Sequence, residues 1–284
     1  MTRFSRAATP VKSASHLDGE LTGLLEAILE RYGYDFRDYA LPSLRRRIRS
    51  TMVAEEASTL EAFRERLVNR PETMERFLLS MSINVTAMFR DPGFYTVFRQ
   101  DVLPLLRTYP FIRIWHAGCS TGQEVYSMAI MLTEEGLYDR CRIYATDMNE
   151  TVLRKAKAGI FSLNTMKKYT SNYIVAGGRG DFSEYYQADH NNAIFNSSLK
   201  RNIVFAQHNL VSDGSFNEFH AILCRNVVIY FNERLQQRVH RLFHQSLVTF
   251  GYLGLGKNED LSLSDCRDSY EEIDGTQKLF RKTA

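Results

Sequence analysis

The chain has 284 residues, 44% hydrophobic and 24% charged, with a formal net charge of +3. That is ordinary globular composition, long enough for one large domain or two modest ones, and the charge is too small to argue for nucleic acid. No apolar run approaches the roughly 18 residues of a membrane helix, and the basic N-terminus lacks the apolar stretch of a secretory signal. Cys119, Cys141, Cys224 and Cys266 have neither disulfide nor metal spacing and are expected to be thiols of a reducing cytoplasm.

Residues 1–18 are polar and without periodicity, and are expected to form a flexible tail. A helical domain is expected over 19–82. Leu21, Leu24, Leu25, Ile28 and Leu29 have the 3.6-residue spacing of an amphipathic helix that Gly33 can stop. Pro42 opens a second helix with Leu44, Ile48 and Met52 on one stripe. Ser58 and Glu61 suggest a capping box for a third, and Pro71 starts a fourth. The second helix carries Arg45, Arg46, Arg47 and Arg49, either a solvated basic face or a dock for an acidic partner.

Residues 83–110 read as a connecting segment. Asp91 is an N-cap candidate, Pro92 fits the first helical position, and a helix is expected to about Val102. All six prolines precede residue 111, where the rhythm changes to alternating strands and helices. Strands are expected at Ile112–His116, Cys141–Thr146, Asn202–Ala206, His220–Cys224 and Gly251–Gly254. Helices are expected at Gln123–Glu135, Glu150–Ala158 and Glu233–Val248. Asp274-Gly275 marks a closing hairpin. The pattern implies a doubly wound, mostly parallel α/β sheet with an antiparallel edge over 111–284. Its rhythm is broken by a polar, Gly-rich stretch, about 166–201, expected to be a small antiparallel β insertion.

The turn Gly118-Cys119-Ser120-Thr121-Gly122 joins the first strand to its helix and allows two readings. One is a nucleophile elbow with Ser120 as a hydrolase nucleophile. The other is a cofactor loop whose glycines let the backbone approach a nucleoside. Asp147 ends the next strand, where a carboxylate can take ribose hydroxyls, and Glu124 opens the helix, where it suits a ligand ammonium. Both favour the cofactor loop. A nucleoside with an amino group and no phosphate suggests S-adenosylmethionine.

Several motifs carry a resemblance. They are Asn84-Val85-Thr86 with Phe89-Arg90; Ala117 to Glu124 with Tyr126-Ser127; Ala145-Thr146-Asp147; Phe205 through His208-Asn209-Leu210; and Cys224-Arg225-Asn226-Val227-Val228-Ile229-Tyr230-Phe231. From about residue 20 onward the chain resembles the bacterial chemotaxis-receptor glutamate methyltransferases, the CheR family. The resemblance implies an all-helical N-terminal domain and a class I methyltransferase domain with an inserted β-subdomain. It implies methyl transfer from S-adenosylmethionine to glutamates on the cytoplasmic helices of chemoreceptors, in the cytoplasm, without metal, nucleic acid or membrane insertion. By motif position, Asn84, Thr86, Arg90, Gly118, Glu124, Asp147, Asn209, Leu210, Arg225 and Asn226 would hold the cofactor. Arg90 and Tyr230 would serve the transfer itself. The arginines at 45, 46, 47 and 49 would face the acidic receptor helix. The insertion, with Gly178-Arg179-Gly180, lies where some members bind a C-terminal receptor peptide.

The chain departs from the family's common pattern at Gln123 and Val125, and at Gly256-Lys257-Asn258-Glu259, where many members have Gly-x-Ser-Glu. Other readings stay open. The fold could serve a sensor or adaptor that binds the cofactor and transfers nothing. Tyr230 could be core. His116 reads as a packed histidine and Cys119 as a small buried residue. His240 and His244 have zinc-ligand spacing but no third ligand, so a structural role is expected.

Overall fold

The computed structural model describes residues 14–81 and 86–283. The chain divides into two compact units, one of Arg45–Phe77 with the residues up to Arg37, the other of Asp38–Leu44 with Leu78 onward.

The first unit is helical. Helix α1 spans Ala14–Tyr32, beginning inside the stretch expected to be tail; the rest of that stretch, residues 1–13, lies outside the described residues. Helix α2 spans Leu41–Ala54, its first turn belonging to the second unit. Helices α3 (Leu60–Asn69) and α4 (Pro71–Met81) follow. Leu21, Leu24, Leu25 and Ile28 of α1 are buried, as their spacing requires, together with Phe63 and Leu67 of α3. Phe77 meets Phe36 and Phe63 edge-on, at 5.6 and 6.1 Å between centroids. The cap of α3 is Thr59, which accepts from the Ala62 N–H at 3.2 Å, so the expected box at Ser58 is shifted by one residue.

The second unit opens with α5 (Pro92–Val97), one π-type turn, and α6 (Leu103–Leu106). Then come β1 (Ile112–Ala117), α7 (Gln123–Glu134), β2 (Cys141–Asp147) and α8 (Glu150–Ala158). Strand β3 (Ile160–Ser162), helix α9 (Met166–Val175), β4 (Tyr186–Asp189) and β5 (Asn192–Phe195) form the insertion. The main sheet resumes with β6 (Ile203–Gln207) and β7 (Phe219–Cys224), then α10 (Glu233–Ser246), β8 (Leu247–Leu255), β9 (Tyr270–Asp274) and β10 (Leu279–Lys282).

Seven strands lie in the order β6-β2-β1-β7-β8-β10-β9. The first five run parallel, and β10 and β9 pair antiparallel at the edge. The expected class I methyltransferase architecture is therefore present. Strand β7 is buried throughout and β1 nearly so, as central parallel strands must be. The indole of Trp115 is fully buried, and its N–H donates to Thr146 Oγ1 at 2.8 Å.

The insertion differs in detail from expectation. Its antiparallel sheet, β3-β5-β4, recruits β3 from before residue 166, and its first part is the helix α9, whose Met166, Tyr169 and Tyr173 are buried. Helix α10 stops at Ser246, and Val248 belongs to β8, because Leu247 and the residues after it pair with β7 and β10 rather than continue the helical stripe. The chain runs from β1 outward to β6 on one side and returns through β7 on the other. The reversal leaves a crevice at the carboxyl ends of β1, β2 and β7.

Candidate active site

At the end of β1 the chain turns sharply through Gly118 (φ +76°) and Gly122 (φ +92°), both in the left-handed region that favours glycine. Gly118 has a second constraint: a Cβ there would lie 2.6 Å from Val227 Cγ2. The N–H groups of Gly118 and Cys119 both donate to Thr146 O at 2.8 Å, which ties the turn to the end of β2. Ser120 offers its backbone N–H to Asp147 Oδ2 at 3.0 Å, and Asn149 N–H donates to Asp147 Oδ1 at 3.0 Å. One acceptor position on each oxygen is thus used and the carboxylate is fixed in orientation. Burial pushes the Asp147 carboxyl above its ordinary value, and the surrounding backbone N–H groups offset this only in part.

Glu124 opens α7 beside this turn. Its Oε1 lies 2.9 Å from His116 Nδ1, and its Oε2 accepts from Arg225 Nη1 at 3.0 Å. Arg225 donates with Nη2 to Asp91 Oδ2 at 2.8 Å and lies over the Phe94 ring, 4.3 Å from its centroid. Its side chain is 2% exposed, whereas Glu124 and Asp91 keep 20% and 23%, so the cation is buried while the two anions stay partly open. Burial pushes the Glu124 carboxyl up, but the His116 hydrogen bond and the Arg225 charge bring it below the ordinary carboxylate value. Asp91 does not cap α5: it has φ 53° and no capping bond, and its carboxylate serves Arg225 instead.

The turn, Glu124, Asp147 and Arg225 line one open cleft of about 990 Å³, mouth included. Its floor is Gly118, Ser120, Glu124 and Asp147; its sides include Thr86 and Arg90, His208 to Val211, and Asn226, Val227 and Tyr230. Asn209 is set by a local turn: its N–H donates to Asp213 Oδ2 at 2.8 Å and its Oδ1 accepts from Val211 N–H at 3.0 Å. Asn226 is held at φ 62°, a second non-glycine residue, with Ser120, in the left-handed region at the cleft.

Residues 84–279 match the family model described as the CheR methyltransferase SAM-binding domain, and residues 19–82 match the CheR methyltransferase all-alpha domain. The chain belongs to the CheR methyltransferase family. It is 47% identical over 271 residues to "Putative methyltransferase Cher3" of Pseudomonas putida, covering 95% of this chain and 99% of that one. It is 30% identical over 227 residues to chemotaxis protein methyltransferase 1 of Pseudomonas aeruginosa, covering 73% and 78%. It is 32% identical over 206 residues to the chemotaxis protein methyltransferase of Vibrio anguillarum, covering 68% and 70%.

The donor set suits the cofactor of a CheR methyltransferase. Glu124, in the first turn of α7, and Asp147, at the end of β2, offer one carboxylate for an ammonium and one for a vicinal diol, and the cradle between them is backbone. Of the residues expected at the site, Thr86, Arg90, Gly118, Glu124, Asp147, Asn209, Leu210, Arg225, Asn226 and Tyr230 all line this cleft. Asn84 lies outside the described residues. The arginine face of α2 is corrected in one member: Arg45, Arg46 and Arg49 are exposed, but Arg47 is 5% exposed. Four arginines in five positions cannot share one face of a helix, and Arg47 falls on the buried stripe with Leu44, Ile48 and Thr51.

His116, read as a packed histidine, orients Glu124; the signal was its place near the end of a strand, eight residues before an acid in the next helix. Asp91 was hidden behind its resemblance to a helix cap. Tyr39, which gave no signal, also lines the cleft, with its hydroxyl 3.6 Å from Met148 Sδ. His240 is buried, and burial lowers its pKa to about 4, in keeping with a packed residue. Among the described residues no cluster of three metal-ligating side chains occurs, and no helix is long and apolar enough to cross a membrane.

Proposed function

We propose that this chain transfers the methyl group of S-adenosylmethionine to glutamate side chains on the cytoplasmic helical domain of chemoreceptors, giving glutamyl methyl esters. The observation that carries the reading is that Glu124 and Asp147 line the same cleft as Arg90 and Tyr230. On this reading the residues for a nucleoside and an ammonium share a cleft with a pair suited to orienting a carboxylate. The names of the Pseudomonas aeruginosa and Vibrio anguillarum relatives support the sensory context.

In this reading Asp147 takes the ribose hydroxyls, Glu124 the methionyl ammonium, and Asn209 and Leu210 flank the adenine. Thr86, Arg90, Gly118 and Asn226 complete the cofactor's surroundings, with Asn84 from the segment before Thr86. Arg225 keeps Glu124 ionised and aimed. When bound, the cofactor supplies a methyl group already activated on a sulfonium. The substrate glutamate is ionised at neutral pH, so the chain need supply no strong base. Arg90 and Tyr230 orient one carboxylate oxygen in line with the methyl carbon, at a near-attack distance of about 3–3.5 Å, and exclude water. A tighter ion pair would stabilise the ground state and slow transfer. Arg45, Arg46 and Arg49 present a cationic face to an acidic receptor helix. The outer strand β4 offers an edge on which a receptor C-terminal peptide could add as a strand.

The test is incubation with radiolabelled S-adenosylmethionine and receptor cytoplasmic fragments. Base-labile label on glutamate is the expected result. Binding of S-adenosylhomocysteine without labelling of any fragment would favour an adaptor and sink the reading. Reversing the charges of Arg45, Arg46 and Arg49 should reduce labelling while leaving cofactor affinity unchanged; normal labelling across a range of salt would remove the docking face.

A further inference from the structure

Glu259 lies in the loop after β8 and is 4% exposed. Its Oε2 accepts from the N–H groups of Asn226 at 2.8 Å and Gly256 at 2.6 Å. Its Oε1 accepts from those of Val227 at 2.8 Å and Ile229 at 3.2 Å. A carboxylate has about four acceptor positions, and all four are engaged by backbone donors. Three of the donors belong to the loop leaving β7 and one to the loop leaving β8, strands that are neighbours and end together at Cys224 and Leu255.

The loop leaving β7 carries Asn226 and Tyr230 into the cleft, and Val227 into contact with the space over Gly118. It is neither strand nor regular helix at Asn226 and Val227, so their N–H groups have no ladder to join. We propose that Glu259 is the positioning residue of the transfer site: its ionised carboxylate fixes the loop that aims Tyr230 and Asn226. The Glu259 side chain does not itself line the cleft. The proposal rests on the methyl-transfer reading of this cleft. It also gives the Gly256-Lys257-Asn258-Glu259 segment a purpose, because the departure from the family pattern leaves the clamping glutamate and glycine in place.

Two variants attack the clamp independently. In Glu259→Gln one oxygen becomes an NH₂ group that opposes two of the four N–H donors. In Gly256→Ala the new Cβ would lie 2.7 Å from Glu259 Oε2 and 2.8 Å from Asn226 N, so a methyl group is driven between carboxylate and loop with no change of charge. With the full chain, three quantities are measured: labelled-methyl turnover on a receptor fragment, S-adenosylhomocysteine affinity by calorimetry, and amide exchange of the peptide over 224–231. A loop displaced by about an ångström should lower turnover about 100-fold. Affinity should change by about threefold or less, because Glu124 and Asp147, which in this reading hold the cofactor, lie outside the clamped loop, although Asn226 rides on it. Exchange should accelerate in that peptide alone.

Turnover near wild type in both variants, or unchanged exchange, overturns the proposal. So does an affinity loss as large as the turnover loss, which would make the clamp a general support of binding. Failure of both variants to fold overturns it as well, since the carboxylate would then support the fold and not the loop. A wild-type chain that labels no receptor fragment counts against the receptor reading and leaves the clamp to be decided by exchange.

Discussion

Glu124, which lines the cleft, is held by side chains, His116 and the buried guanidinium of Arg225; Glu259, beneath a loop that lines it, is held by four backbone N–H groups. The first carboxyl lies below its ordinary pKa, because burial is outweighed by a hydrogen bond and an opposite charge; the second lies above it, because burial outweighs the dipoles it collects. A carboxylate neutralised by charge can stay partly open to the cleft and serve a ligand. One whose acceptor positions are all filled by backbone can serve only the chain. Asp147 stands between them, fixed by two N–H groups yet facing the cleft with acceptor positions to spare.

The largest effect should come from breaking the charge-held side. Arg225→Met removes the cation that Glu124 and Asp91 share and leaves both carboxylates in a partly buried site. Breaking a buried pair in this way costs about 3–5 kcal/mol, to be read as a lowered urea midpoint with unchanged slope. Stability within error of wild type would mean that Arg225 is not the keystone of that wall.

Acidification should sharpen the contrast, because the backbone-held Asp147 and the charge-held Glu124 are shifted in opposite directions. Burial raises Asp147, so it takes up its proton at a higher pH than an ordinary aspartate; His116 and Arg225 lower Glu124, so it holds its charge to a lower pH than an ordinary glutamate. Linkage gives the signs. Glu124 contributes stability that is complete above its unfolded pKa and is lost as pH falls through its folded one. Asp147 stabilises the fold most when protonated, and that contribution is lost as pH rises through its folded pKa. Affinity for S-adenosylhomocysteine should therefore fall on acidification with the titration of Asp147, at a higher pH than an ordinary aspartate would give. Asp147→Asn should lower affinity about 100-fold, about 2.7 kcal/mol. What remains should fall where Glu124 protonates, below the pH of an ordinary glutamate. The same acid limb in wild type and variant would show that Asp147 does not control binding.

The local parts of this design were legible in the sequence, and the parts that depend on distant partners were not. The glycine turn, Glu124 and Asp147 announce themselves because strand, turn, helix and next strand end follow within about 30 residues, in the phase that α/β cofactor sites need. The sheet was legible from apolar runs such as β7 and from the proline-free stretch after residue 110. Helix α9 was not, since its buried anchors Met166, Tyr169 and Tyr173, which pack on the insertion and the adjoining domain core, are set among polar residues and the exposed Ile174 and Val175, so no clean stripe marks it. Asp91 reaches Arg225 across 134 residues, and Glu259 reaches Asn226 across 33. No periodicity encodes either bond, and Asp91 before a proline mimics a helix cap that the left-handed backbone does not make.

The smallest effect expected here is at Tyr230, and it tests whether the backbone-held side has a chemical purpose. The side chain is half-buried at the cleft, and its carbonyl accepts from Ala40 N–H at 2.8 Å, so the backbone is held whatever the ring carries. Tyr230→Phe removes one hydroxyl and should leave the loop, the clamp and S-adenosylhomocysteine affinity intact. If the hydroxyl orients the attacking carboxylate, turnover should fall about tenfold, the rate equivalent of about 1.4 kcal/mol in the barrier. The loss should appear in kcat and kcat/KM alike, as for an interaction made only in the transition state. Equal turnover in the labelled-methyl assay would reduce Tyr230 to a wall of the cleft, and the orienting task would pass to Arg90 alone.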